Sequence, residues 1–431
     1  MLFEIFTTGL MGGIALKAYS EYKGISSNES GKILRIMSLA GLNVRDGKGT
    51  LTTQLVSKKK YQWGWEYKFR IPLGRSYDDY LSKMNVLEDG LNNRRKHITI
   101  NDFFKLEWQG DLFHNLNKLL RTKLTEQKEI ELNYDGLLIM RVYDKSMAKK
   151  VDFIAGEGWK VPVGVTRAMN EFRYHDFESI PHLLLGGATR YGKSNFINSM
   201  ICSLLQSNSD NVKLFLIDLK GGVELCDYEN IKQTVSIAYE PEEALHTLQI
   251  AYNCMRNIQL ELRRKGKKNV QEGGIKERYF IIVDEVGELN PLEAITKEEK
   301  QLKQQCQTIM SQIARLGAGL GFRQILATQY PTIDIIPRQC KQNSDAKLSF
   351  RVQSATASRV ILDEAGAESL PLVKGRAIYQ TADKREILQT PLITSEEIQS
   401  VILPFYSREE KINEANIIKQ GRTDIVTFKE I

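Results

Sequence analysis

The sequence predicts an α/β domain with a mainly parallel sheet and helices on both faces, preceded by a small α+β domain. From about residue 160, short apolar runs such as "HLLLGG", "VKLFLIDL" and "RYFIIVDE" alternate with longer stretches of helical periodicity. Buried runs of four to eight residues separated by helices indicate a parallel sheet covered on both faces. The length of 431 residues also suits two or three domains.

Four segments are predicted along the chain. Residues 1–29 form a short hydrophobic N-terminal segment that docks or associates with a membrane, and residues 30–150 form the small α+β domain. Residues 151–395 form the α/β domain, and residues 396–431 form a C-terminal helix and tail. Neither internal repeats nor low-complexity stretches interrupt this order.

The small domain is predicted from three stretches. Residues 51–73 carry β-branched and aromatic side chains in partial alternation around a basic turn, which predicts a hairpin or strand pair. Residues 76–93 begin at a serine and continue with apolar residues at helical spacing, which predicts a helix. Residues 130–144 predict one or two further strands.

Composition is typical of a globular protein in a reducing compartment. Apolar residues make up 42% and charged residues 26%. The five cysteines form no CxxC pair and histidine is scarce, so neither a disulfide framework nor a zinc site is expected, and the cytoplasm is the predicted location. The 60 basic and 53 acidic side chains give +7, which permits an anionic partner without demonstrating one.

The uncharged stretch 5–16 leaves three alternatives open. Its twelve residues are fewer than the roughly 20 that cross a bilayer. No basic region precedes it, so the pattern is not typical of a signal peptide. It is a helix that docks on a membrane surface or a partner, a segment buried in the fold, or, least favoured, a spanning helix.

A phosphate-binding loop is predicted at "GGATRYGKSN". The pattern Gly-x4-Gly-Lys-Ser lies between a predicted strand and a predicted helix, the context that this motif requires. Lys193 is expected to reach the β- and γ-phosphates of ATP, and the Ser194 hydroxyl to bind Mg²⁺. The predicted nucleotide-binding residues are Gly187, Ala188, Thr189, Arg190, Tyr191, Gly192, Lys193, Ser194 and Asn195.

Further polar residues follow buried strands. "RYFIIVDE" ends in Asp284, expected to hold Mg²⁺, and Glu285, expected to act as general base on water. In "RQILATQYP", the apolar run is followed by Gln329, which can orient that water or contact the γ-phosphate. In "LFLIDLKGG", the apolar run is followed by Asp218 and Lys220, which either support the site or pair on the surface. Two basic clusters, 92–97 and 263–269, contact DNA or are solvated surface.

These motifs together resemble the FtsK/SpoIIIE family of DNA translocases. "IPHLLLGGATRYGKSNFINSMICSLL" is similar to the family signature PHLLIAGATGSGKS. The likeness continues through "LIDLKGGVEL", "YFIIVDEVGEL", "IARLGAGLGFRQILATQYPTIDIIP" and "LSFRVQSATASRVILDEAGAESLPLVKGRAIY", over roughly residues 160–380. The resemblance implies a RecA-like fold, a homo-hexameric ring, and ATP-driven passage of double- or single-stranded DNA.

The resemblance also implies residue roles and one departure. Lys193, Glu285 and Gln329 are the predicted catalytic residues. The family carries a candidate arginine finger where this sequence has Ala318. Either Arg315 or a later arginine, Arg359, replaces it as a catalytic residue, or hydrolysis is slow.

Bulky Arg190 and Tyr191 depart from the family pattern as well. Both are expected to pack outward on the loop or to reach the nucleotide or a neighbouring subunit.

The layout resembles short FtsK-like coupling and transfer ATPases of Gram-positive conjugative elements, plasmids and phages. No C-terminal winged-helix domain or four-helix membrane anchor is expected. A relaxase, replication or membrane transfer complex is an expected partner through the N-terminal region. Two alternatives stay open: an FtsK-like protein-secretion ATPase, and a scaffold whose nucleotide serves assembly.

Overall fold

The computed structural model describes most of the chain as two compact units. The described residues are 29–47, 49–92, 128–167, 171–331 and 335–406. One unit comprises residues 1–147 with 167–169, and the other comprises residues 148–166 with 170–431. The predictions for residues 5–16 and for the tail from residue 407 lie outside the described residues. Within the described ranges, no helix combines the length and apolar character needed to span a membrane.

The first unit is a four-stranded antiparallel sheet with helices on one face. Its sheet order is β3-β4-β6-β5, and a separate two-stranded ribbon pairs β1 with β2. The elements are α1 (29–39), β1 (Val44–Asp46), β2 (Gly49–Leu51), β3 (Gln54–Tyr61), β4 (Gly64–Arg70), α2 (Tyr77–Ser82), α3 (Met84–Leu91), β5 (Glu129–Asp135) and β6 (Leu137–Tyr143). The strand pair predicted in 51–73 is β3 and β4, and 130–144 forms the hairpin β5–β6, so both predictions are confirmed.

The single helix predicted over 76–93 is wrong, because two short helices occupy that stretch. Ser76 and Asp79 form a capping box that starts α2. At Lys83 the backbone leaves helical geometry, with φ = −103° and ψ = 10°. The break turns Tyr80 of α2 and Leu87 of α3 into one buried core, where both are 0% exposed. Packing on the sheet therefore overrides the helical periodicity of the sequence.

The second unit is built on one ten-stranded sheet of order β11-β10-β12-β13-β9-β14-β15-β16-β7-β8. Its strands are β7 (Lys160–Thr166), β8 (Phe172–Asp176), β9 (Leu183–Gly186), β10 (Val212–Asp218), β11 (Thr234–Ala238), β12 (Arg278–Asp284), β13 (Phe322–Thr328), β14 (Ala346–Phe350), β15 (Arg376–Gln380) and β16 (Arg385–Gln389). Its α-helices are α4 (Lys193–Asn208), α5 (Pro241–Lys265), α6 (Lys297–Leu316), α7 (Arg338–Asn343), α8 (Ala355–Leu362) and α9 (Ser395–Ile402).

The prediction of a mainly parallel sheet is confirmed. The six strands from β11 to β14 in the sheet order are parallel. The four strands from β15 to β8 continue the sheet in antiparallel fashion. This extension was not predicted, because β7 and β8 precede the phosphate loop in sequence yet lie beyond β16 in the sheet.

Side-chain alternation explains why helices cover both faces of the sheet. Leu183 and Leu185 of β9 enter one core together with Phe196 of α4. Leu184 enters the other core together with Leu248 of α5. Because successive side chains of a strand point to opposite faces, a fully apolar strand needs a helix on each side.

Strand register then gathers polar side chains at one edge of the parallel sheet. Asp218 of β10 is in register with Asp284 of β12, and Thr328 of β13 is in register with Gly186 of β9. The carboxyl ends of four strands therefore meet at the edge where the predicted phosphate loop begins, here called the site edge. Ligands of open α/β sheets bind at such edges.

Candidate nucleotide site

The predicted phosphate loop connects β9 to α4 and is shaped by its glycines. A Cβ atom on Gly187 would lie 2.7 Å from the Cβ of Phe350. Gly192, which immediately precedes α4, has φ = 119°, a value that side chains disfavour. The Ala188 N–H donates to the Arg351 carbonyl at 2.9 Å, which ties the loop to the end of β14. The N–H groups of the first turn of α4 lack partners within the helix and can bind an anion.

Arg190 and Tyr191 occupy this loop in different ways. Arg190 is exposed and adopts a left-handed conformation, with φ = 72°. That conformation costs a non-glycine residue about 1–2 kcal/mol, which gives a physical reason for the glycine at this position of the family signature. The Tyr191 ring packs half-buried against the core of its own unit, and the Gly375 N–H donates to the Tyr191 carbonyl at 2.8 Å. The outward packing expected for Tyr191 is therefore wrong.

Lys193 forms a buried ion pair with Asp284. Its Nζ donates to Asp284 Oδ1, and the two side chains are 3% and 0% exposed. Burial lowers the pKa of Lys193 to about 8, although the negative charge of Glu285 opposes the shift. The other carboxylate oxygen, Asp284 Oδ2, is buried and has no hydrogen-bond partner among the described residues.

The unpaired Asp284 Oδ2 shows whether the residues present here fit a Mg²⁺ ion. Carboxylate and hydroxyl oxygens are ligands that Mg²⁺ prefers. Asp284 offers such an oxygen, and Ser194 contributes a partly exposed hydroxyl in the first turn of α4. These residues fit Mg²⁺ bound together with a nucleotide.

Glu285 is held by the end of the neighbouring strand. It is 6% exposed and has a left-handed backbone, with φ = 67°. Thr328 Oγ1 donates to Glu285 Oε1 at 2.8 Å, and the Gln329 N–H donates to Oε2 at 3.0 Å. The candidate general base is thus fixed against β13.

The Gln329 side chain joins two further loops to this arrangement. Its Oε1 accepts from Thr189 Oγ1 at 2.8 Å and from Lys220 Nζ at 2.7 Å. Asp218 is fully buried and its Oδ2 accepts the Glu224 N–H at 2.8 Å. Of the two alternatives left open for Asp218 and Lys220, the structure therefore supports a place in the site rather than surface pairing.

Three other predicted residues lie away from this network. Asn195 Nδ2 donates to the Ile393 carbonyl at 2.7 Å, so its amide ties α4 to the segment before α9. Arg315 is exposed near the end of α6, just before β13 begins, which places it at the opposite edge of the sheet. Arg359 is exposed on α8, and its carbonyl accepts from Lys341. In the described part of the chain, neither arginine side chain is hydrogen-bonded or ion-paired to this network.

Sequence reasoning missed one contributor and left another undecided. Thr328, which directly precedes Gln329, was not predicted as a site residue, yet its hydroxyl donates to the Glu285 carboxylate. A small polar residue at the buried end of an otherwise apolar strand was the available signal. Lys220 is followed by two glycines, and a lysine followed by a glycine pair after a buried strand is typical of a loop that approaches a ligand.

Comparison with known proteins agrees with this geometry. Residues 155–317 match the model of the FtsK/SpoIIIE family. The chain is 31% identical over 255 residues to a protein named DNA translocase FtsK from Corynebacterium glutamicum, in a match covering 54% of this chain and 26% of that protein. It is 33% identical over 248 residues to DNA translocase FtsK from Chlorobaculum tepidum, covering 54% of this chain and 30% of that protein. The matches thus span less than a third of these relatives.

A solved structure shows the same fold. The pCW3 conjugation coupling protein TcpA, described as a monomer form with ATPgS, superposes with a TM-score of 0.58 at 19% identity. The superposition covers 86% of this chain and 98% of that one. At such low identity the likeness establishes the fold, which is the α/β phosphate-loop fold predicted from the sequence. Residues 155–317 are therefore similar to the FtsK/SpoIIIE family, and the sequence matches to proteins named DNA translocase FtsK agree with that similarity.

Proposed function

We propose that this protein is an ATP-dependent DNA translocase that works as a homo-hexameric ring. One observation carries the proposal: Lys193, Asp284, Glu285 and Gln329 converge at the carboxyl ends of neighbouring parallel strands. Within this network a buried cation faces an aspartate with one open oxygen, and a glutamate is held beside them. Such an arrangement is suited to hydrolysis of a nucleoside triphosphate.

Each side chain has a distinct task in that reaction. Bound Mg²⁺–ATP supplies the γ-phosphoryl group that is transferred to water. Lys193 and the N–H groups at the start of α4 bind phosphate oxygens, while Asp284 and Ser194 hold the metal. Glu285 orients a water and accepts its proton. Gln329 is hydrogen-bonded to both Glu285 and Thr189, so a contact of its amide with the γ-phosphate would couple the presence of ATP to the positions of these two residues.

DNA is the proposed substrate of the motor for two reasons. The relatives that match it in sequence are named DNA translocases, and the superposed TcpA is named a conjugation coupling protein. We propose a role in conjugative transfer or plasmid or phage DNA processing, with a relaxase, replication or membrane transfer complex as partner. The net charge of +7 is compatible with a polyanionic substrate.

Steady-state ATP hydrolysis with and without double- and single-stranded DNA tests the proposal. We expect DNA to stimulate hydrolysis, and Lys193→Ala to reduce it to background. Lys232→Ala, which alters an exposed lysine outside the network, is the matched control and should retain full activity.

Two results would contradict the proposal. Hydrolysis indifferent to both forms of DNA would favour the protein-secretion alternative. Nucleotide binding without any hydrolysis would favour an assembly scaffold. Circular dichroism of Lys193→Ala would show whether the unpaired Asp284 has unfolded the variant.

A further inference from the structure

The loop after β10 is built to present Lys220. The buried carboxylate of Asp218 accepts the Lys220 N–H at 3.2 Å and the N–H groups of Glu224 and Leu225 at 2.8 and 3.1 Å. Gly222 has φ = 68°, and a Cβ there would lie 2.6 Å from the Tyr239 ring. The path of the loop is therefore fixed by one carboxylate and by a glycine that no other residue can replace without a shift.

Lys220 and Thr189 together set the orientation of the Gln329 amide. An amide oxygen has two lone pairs, and Gln329 Oε1 accepts one hydrogen bond from each of these residues. With the oxygen fully used, the amide nitrogen faces away from both donors and keeps its two N–H groups for other acceptors. Thr189 belongs to the phosphate loop and Lys220 to the loop after β10. The orientation of the Gln329 amide therefore depends on the positions of both loops.

The main chain of Gln329 carries this constraint to the candidate base. Its N–H donates to the Glu285 carboxylate at 3.0 Å, so the same residue is held by Lys220 on one side and holds Glu285 on the other. Loss of the Lys220 bond leaves the Gln329 side chain held by Thr189 alone, which loosens the support of Glu285. Misplacement by about 1 Å at a reacting centre can cost on the order of 10² in rate.

We infer that Lys220 is a positioning residue for ATP hydrolysis, which acts by fixing Gln329 between the phosphate loop and Glu285. The inference rests on the proposed hydrolytic function of this site. It separates Lys220 from Lys193, which contacts the substrate itself. The two cations lie close enough for the charge of Lys220 to disfavour protonation of Lys193 and so to contribute to its lowered pKa.

A double-mutant cycle of Lys220→Ala and Gln329→Ala tests this inference. We expect Lys220→Ala to lower kcat about 10- to 100-fold, with KM for ATP changed less than about threefold. Lys220→Arg should recover part of the rate, because a guanidinium can also donate to Oε1. In the Gln329→Ala background, removing Lys220 should lower kcat less than about twofold, because its partner is already absent. Lys232→Ala is again the matched control.

The outcomes that overturn the inference are distinct from those that overturn the proposed function. A full loss of rate from Lys220→Ala in the Gln329→Ala background would show direct action on the substrate. A raised KM with unchanged kcat would show a binding role instead. Absence of wild-type hydrolysis sensitive to Lys193→Ala would overturn the proposed function, and the positioning role with it.

Discussion

Two clusters of buried charge lie at opposite ends of the same strands, and they differ in how completely their carboxylates are bonded. At the amino ends of β12 and β13, Glu178 accepts from Arg278 Nε at 2.6 Å and from Arg323 Nη2 at 2.8 Å through Oε1. Its Oε2 accepts from Arg278 Nη2 at 3.0 Å and from Gln271 at 2.8 Å. At the site edge, Asp284 has one oxygen paired with Lys193 and the other without a partner.

The comparison separates a structural ion cluster from a binding site. Burial would raise the pKa of Glu178, but the hydrogen bonds from Arg278 and Gln271 and the charge of Arg323 outweigh it and hold that pKa at about 2. The carboxylate is saturated and needs no further ligand. In Asp284, by contrast, one carboxylate oxygen is buried without a hydrogen bond. Such burial costs free energy unless a cation or a hydrogen-bond donor binds to that oxygen. The open carboxylate therefore marks where the molecule meets its ligand.

The largest expected effect comes from the site edge, through Glu285→Gln. The substitution keeps the shape and the acceptor for the Thr328 hydroxyl but removes the base, so kcat should fall by about 10²–10⁴. Nucleotide binding should persist, as measured by titration with a fluorescent ATP analogue. Glu288→Gln, three residues later and exposed, is the matched control and should leave hydrolysis unchanged. Hydrolysis within tenfold of wild type would show that another group activates the water.

The second expected effect comes from the ion cluster of Glu178, Arg278 and Arg323, here called the closed cluster, through Glu178→Gln. The variant leaves Arg278 and Arg323 a single acceptor oxygen on the side chain of residue 178, besides their bonds to backbone carbonyls. The free energy of unfolding should therefore fall by about 2–3 kcal/mol. The partial exposure of Glu178 keeps this below the cost of breaking a fully buried pair. Urea unfolding measures the change.

The control for Glu178→Gln is Glu261→Gln, which breaks an exposed pair with Lys265. It should cost less than about 0.5 kcal/mol. ATP affinity of folded Glu178→Gln should equal that of wild type. A large loss of affinity without a loss of stability would show that the two edges are not separable in this way.

The sequence predicted the residues that a local motif defines. The phosphate loop with Lys193, and Asp284 and Glu285 at a strand end, are encoded within a few consecutive positions, and the structure places them together. Gln329 was predicted because it too follows a buried strand. That these residues lie close together can be predicted from one rule alone, namely that the carboxyl ends of parallel strands meet at one edge of the sheet.

The remainder depended on contacts that no local pattern encodes. Glu178 and Arg323 pair across 145 positions, and nothing near either residue signals the other. The role of Lys220 stayed open because it depends on the β10 loop closing over Gly222 against Tyr239. Of the bulky pair in the phosphate loop, Tyr191 turned inward because the core of its own unit offered apolar contact.

The smallest expected effect is a pH dependence that arises beside the closed cluster. His182 is 1% exposed, and its Nδ1 accepts the Gln324 N–H at 3.0 Å, which requires the neutral ring. Burial and then the nearby charge of Arg323 lower the pKa of His182 from 6.5 to about 4. Between those values the unfolded chain binds a proton that the folded protein does not, so stability falls as the pH is lowered from 6.5 towards 4.

His182→Asn isolates this contribution, because asparagine keeps an acceptor oxygen near the position of Nδ1 and does not titrate. Between pH 7 and pH 5, His182 should account for about 2 kcal/mol of lost stability in wild type. His175, whose pKa burial also lowers to about 4, remains in both proteins and contributes equally to each. Urea unfolding should therefore show a pH-dependent loss about 2 kcal/mol smaller in the variant. Equal losses would mean that His182 is protonated in the folded protein at pH 5, and that the cluster beside it is less closed than its hydrogen bonds indicate.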